Sequence, residues 1–90
     1  MVVVYIDGKP INWVLSIGRD DISGDLILTF KSRKDIPKIS RFRYHKVELK
    51  YVYKHELKVA YVVIIKGFKR RKNDLYLKIS DLFMEKQNEM

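Results

Sequence analysis

The sequence predicts a single all-β domain, and three observations carry that expectation. Val, Ile, Tyr, Phe, Trp and Thr make up 31 of the 90 residues, whereas Ala, the strongest helix former, occurs once, at Ala60. The apolar residues fall in short runs of strand length, several alternating with polar ones at period two. Turn residues separate those runs at close intervals. At this length a chain folds as one unit, here 1–90, and four Gly and two Pro exclude a low-complexity or disordered chain.

Each element follows from its residues. Val2 to Ile6 is a strand, and Asp7-Gly8-Lys9-Pro10 turns the chain, since Gly8 accepts the positive φ that a tight hairpin needs. Ile11 to Ile17 reads as a second strand carrying Trp13, and 18–25 as a loop. Leu26, Leu28 and Phe30 mark one face of a third strand, with Ile27 and Thr29 on the other. Residues 31–40 connect, with Ile36 and Ile39 tucked inward. Arg41 to Tyr53 is a long strand that turns near Lys54-His55-Glu56 into its partner, Leu57 to Phe68. Lys69 to Asp74 forms a hairpin tip, and Leu75, Leu77 and Ile79 line the inner face of a final strand. A short helix follows, with Ser80 as its N-cap and Ile79, Leu82 and Phe83 on one face. Five to six strands so connected predict a small antiparallel barrel, SH3-like or OB-like, or a compact sandwich, with a short C-terminal helix. Closure would also remove the exposed edges of so β-prone a chain.

Charge narrows the functional classes. Nineteen Lys and Arg against eleven Asp and Glu give +8. Residues 31–78 hold sixteen of those cations against four acids, net +12, while each flank is net −2. Confinement of the excess to the middle predicts a directed basic face and a polyanionic partner; the plain alternative is lysine keeping outer strand faces soluble. The absence of cysteine excludes disulfides, thiolate nucleophiles and thiolate metal sites, and fits a reducing, cytoplasmic setting. No secretory signal is read at the start, where Asp7 interrupts the apolar run. The longest uncharged apolar run, 59–65, is far short of the ~20 residues that span a membrane. Frequent Lys with a single Gln is a thermophilic bias, which an AT-rich genome would also produce.

The long strand changes phase at His45. After it Val47, Leu49, Tyr51 and Tyr53 share one face and Lys46, Glu48 and Lys50 the other, whereas before it Phe42 and Tyr44 alternate with Arg41 and Arg43. A bulge near His45 would bury both aromatics, and is the expectation. Without a bulge, Phe42 and Tyr44 would stand exposed beside Lys46 and Lys50, a stacking platform for single-stranded nucleic acid. The partner strand is apolar on both faces from Val59 to Ile65, so a cover is expected, either the terminal helix or a second copy of the chain in a homodimer.

Catalytic patterns find little support. His45 and His55 read as surface or turn histidines and lack the spacing of a zinc pair. Asp20, Asp21 and Asp25 cluster in a loop with oxygen ligands for a divalent cation, yet without EF-hand spacing and among ordinary turn formers. Asp35 followed by Glu48-Leu49-Lys50 resembles the Asp…Glu-x-Lys arrangement of restriction-endonuclease-like nucleases. That resemblance implies metal binding by Asp35 and Glu48 with Lys50 assisting, but the helix those enzymes carry before the strand is missing. No catalytic, metal or cofactor residues are assigned.

The leading expectation is a non-enzymatic protein that binds nucleic acid, DNA or RNA, through its phosphates with little sequence specificity. Arg41, Arg43, Lys46 and Lys50 would form a stripe along the long strand. Lys69, Arg70, Arg71 and Lys72 would clamp from the tip, Lys31, Arg33 and Lys34 would add from the connector, and Tyr44 would stack if the strand lacks a bulge. In general style such a domain resembles the small basic β-barrels that coat archaeal DNA, without a shared motif. The alternative is a protein-binding accessory or inhibitor module, dimeric or not, docking an acidic partner surface.

Overall fold

A computed structural model describes residues 2–80. β1 (Val2–Ile6), β2 (Lys9–Ile11), β3 (Val14–Arg19), β4 (Leu26–Phe30), β5 (His45–Tyr53), β6 (Glu56–Arg71) and β7 (Asp74–Ile79) surround one 3₁₀ turn, Arg33–Asp35. The strands make a single antiparallel sheet in the order β2-β1-β5-β6-β7-β4-β3. All-β and antiparallel hold. The closed barrel does not, because β2 and β3 stand at the two ends of the order without pairing to each other, and the strands do not divide into two separate sheets. Seven strands replace five or six because the run from Ile11 to Ile17 breaks at Asn12-Trp13, where Trp13 takes φ +67. The expected terminal helix lies outside the described residues. β7 itself runs to Ile79, and the Ser80 N–H donates to the Ile64 carbonyl at 2.8 Å.

One sheet buries a core only by curling over it. Val4, Ile6, Val47, Val63 and Ile65 from one half meet Phe68, Leu75, Leu77, Leu26, Leu28 and Phe30 from the other, with Ile36 from the connector closing one side. β6 is common to both halves: Ile65 lies opposite Ile79, yet Phe68 lies opposite Leu77, so one extra residue bulges out between them. Gly67 at φ +88 makes that bulge. Without the extra residue the inward phase of Val63 and Ile65 would place Phe68 on the outer face. Two-residue turns join β1 to β2, β5 to β6 and β6 to β7, whereas residues 20–25 link β3 to β4. Asp7-Gly8 and Lys54-His55 both take positive φ throughout, the geometry that matches strand twist.

The far end of the β5–β6 hairpin departs from expectation. Tyr51 and Tyr53, on the face of Val47 and Leu49, lie open, as do Val52 and Leu57; of the run expected to be covered on both faces, Val59 and Ala60 are exposed whereas Val63 and Ile65 are buried. β5 carries the hairpin end past β1, whose pairing starts at Val2 opposite Tyr51. β7 reaches only Ile65, so among the described residues the second edge of β6 from Glu56 to Val63 has no strand partner.

Gly67→Ala tests the bend. Nothing lies within 4 Å of the position a Cβ would occupy, so the expected loss of about 1–3 kcal/mol is backbone strain alone. Urea unfolding should show a lower midpoint at unchanged slope. An unchanged midpoint would mean that the bulge does not need the left-handed conformation.

Candidate nucleic-acid interface

The chain ahead of β5 is held by one buried side chain. His45 is buried at the start of the strand; its Nδ1 lies 2.6 Å from Asp7 Oδ2 and its Nε2 2.8 Å from the Ser40 carbonyl oxygen. With an acceptor facing each nitrogen, a ring carrying both protons donates twice. Asp7 also accepts from the Lys46 N–H at 3.0 Å and lies 3.5 Å from Arg43. This corrects the reading of His45 as a surface or turn residue. It also replaces the expected bulge, because the strand begins at His45 and 41–44 belong to an irregular loop. Phe42, 94 % exposed, and Tyr44 are therefore both outside the core.

The loop anchored this way delivers Arg41 to β6. Its Nη1 donates to the Phe68 carbonyl at 2.9 Å, and its guanidinium carbon stands 4.2 Å from the centre of the Phe68 ring. Arg70 lies over the same ring at 5.7 Å. With Arg33 from the 3₁₀ turn, Lys69 from β6 and Phe68 they line an open cleft of about 520 Å³, and no carboxylate is among its described lining residues. Four cations from three segments of the chain thus line one cleft; Arg41 and Arg70 are held at the Phe68 ring, while Lys69 Nζ stands 5.7 Å from the centre of the Tyr76 ring.

The remaining expected residues divide. Lys31 and Lys34 line a second opening of about 440 Å³ with Trp13, Ser32 and Asp35, on the same connector that supplies Arg33. Arg43 is drawn to Asp7, Lys46 lies 3.7 Å from Glu48, and Lys50 sits 4.2 Å over the Tyr5 ring, so the stripe expected along the long strand is divided among local partners. Tyr44 is capped by Lys66 at 4.9 Å. The cationic tip is also corrected. Lys69, Arg70 and Arg71 are paired residues of β6, and only Lys72 of the four stands in the turn, at φ +54. Arg71 sits opposite Asp74. Phe68 and Trp13 were missed; the phase shift that Gly67 introduces was the one signal for the former.

The acidic groups have local employment. Asp20 Oδ1 accepts the N–H groups of Ile22 and Ser23 at 2.8 and 3.0 Å, and those bonds, outweighing the little desolvation present, hold its carboxyl below the usual aspartate range. Asp35 belongs to the Trp13 opening, and Glu48 sits beside Lys46 on β5. Among the described residues no three His, Asp or Glu side chains are grouped to hold a metal.

No protein-family model, curated protein or solved structure matches this chain.

Asp7 gives the loop anchor a pH signature. Burial alone would raise its carboxyl, but the His45 ring, the Lys46 N–H and the charges of His45 and Arg43 outweigh burial and lower it. A carboxyl lowered on folding contributes stability that is complete above its unfolded value of about 3.9 and fades as pH falls through the folded one. Asp7→Asn keeps a side chain tolerant of φ +53 and removes the charge. Near neutral pH it should cost about 1–2 kcal/mol, at the low end because a third of the Asp7 side chain is exposed. The difference from wild type in urea unfolding should close below about pH 4.

Proposed function

We propose that this chain is a non-enzymatic protein that binds nucleic acid through its phosphates with little base specificity. The observation that carries the reading is the cleft of Arg33, Arg41, Lys69 and Arg70. Two features favour a phosphate ligand over a solvated surface. The cations come from separate segments and converge, which costs repulsion that a bound polyanion relieves. Arg41 is fixed by Phe68, so its remaining N–H groups are presented with little rotamer freedom to lose. Counterion release then supplies the affinity.

Fluorescence anisotropy between about 50 and 200 mM salt tests this, using single- and double-stranded DNA and RNA of equal length. Affinity should fall steeply with salt. Arg41→Ala with Arg70→Ala should flatten the slope by about 1.4 on single strands or about 1.8 on a duplex. Arg71→Ala with Lys72→Ala, outside the cleft, should change it less. Absence of binding at low salt by the wild type overturns the proposal, and equal effects of the two pairs would remove the cleft from it.

A second reading is favoured by the protruding hairpin. The exposed Tyr51, Val52, Tyr53, Leu57 and Val59 and the β6 edge that has no strand partner among the described residues suit a second copy of the chain, since an antiparallel edge is its own complement across a two-fold axis. Light scattering across protein concentrations should show a dimer that Val52→Lys with Leu57→Lys abolishes. A monomer at all concentrations removes this reading.

A further inference from the structure

We infer that the nucleic acid is bound as a single strand, with one base stacked on Trp13 in the opening beside the phosphate cleft; this rests on the phosphate-binding proposal and adds the class of polymer to it. Trp13 does not behave as a core residue. Ile11 and Val14 on either side pack against the core, but Trp13 is 60 % exposed. It also holds φ +67, a left-handed conformation that a bulky side chain adopts only when its surroundings impose it. Its carbonyl accepts the Lys31 N–H at 3.0 Å, which fixes the residue at the end of the β3–β4 pairing. A largely exposed indole on a strained residue contributes little to the fold, and strain of this kind gathers where a ligand is held.

The surroundings suit a base better than a phosphate. Lys31 Nζ stands 5.3 Å from the centre of the indole, and the opening of about 440 Å³ is completed by Ser32, Lys34 and Asp35. Asp35 would repel a phosphate entering there, yet its carboxylate can accept from the exocyclic amino group of a base. Lys31 and Lys34 remain for the flanking backbone. The 3₁₀ turn joins the two sites: Lys34 and Asp35 face the indole opening while Arg33 lines the four-cation cleft. A strand with phosphates in the cleft can therefore place an unpaired base on Trp13, and a duplex, whose bases are already stacked on each other, cannot.

Trp13 is the only tryptophan, so its fluorescence reports the contact directly. Single-stranded DNA and RNA dodecamers should quench it at saturation, whereas the corresponding duplex and inorganic polyphosphate should bind without quenching. Trp13→Asn, a residue that tolerates positive φ, should lower single-strand affinity roughly 5- to 150-fold, the range that base–aromatic stacking covers. Polyphosphate affinity and the salt slope should not change, and the urea midpoint of the variant should equal or exceed that of wild type. Trp13→Phe should retain most of the binding. Salt-dependent binding with unquenched Trp13, equal quenching by the duplex, or a Trp13→Asn variant that is clearly less stable overturns this inference and leaves the phosphate reading intact. Absence of binding to every polyanion overturns both.

Discussion

The one-residue bulge at Gly67 is the constraint on which the rest of this structure depends. β6 serves both halves of the sheet, and its inward phase has to survive the bend between them. Because Gly67 takes up the extra residue in a left-handed conformation, Phe68 stays on the core side and offers the face of its ring to Arg41 and Arg70. The core and the cationic cleft are thus two sides of one aromatic residue. Repulsion among the arginines is set against packing and a carbonyl hydrogen bond already required by the fold, so the convergence of charge persists without a ligand.

A second constraint works at longer range. The turn that opens the chain supplies Asp7, and the carboxylate reaches His45 across 38 positions of sequence. That contact ends the irregular loop and begins β5, and it fixes how far Arg41 can travel. Cation placement here follows from neutral-looking parts of the sequence: a hairpin turn, a histidine and a glycine.

Much of the fold was legible in the sequence because it depends on local rules. The period-two runs at 26–30 and 75–79, the Asp7-Gly8 turn and the inward Ile36 and Ile39 all appear as expected. What was not legible depends on long-range partners. The phase change at His45 looked like a bulge because a histidine facing the core is costly until its two acceptors are known. The run 69–72 looked like a tip because the register on β7 was unseen, and that register makes Arg71 a paired residue opposite Asp74. Of the candidate site, the residue types and the segment of chain were readable. Which cations meet was not, since Arg33, Arg41 and Arg70 are joined by folding alone.

The two proposed contacts, hairpin to hairpin and cleft to polyanion, would respond to salt in opposite directions. The net charge of +8 keeps two copies apart at low ionic strength, the condition in which a polyanion is held most firmly. Raising salt would loosen a polymer bound as proposed and at the same time screen the repulsion between two copies at Val52, Leu57 and the β6 edge that has no strand partner among the described residues. On those two proposals, a wash that strips nucleic acid would favour self-association, and the exposed Lys54 at the turn of that hairpin is a charged guard whose influence the same wash would weaken.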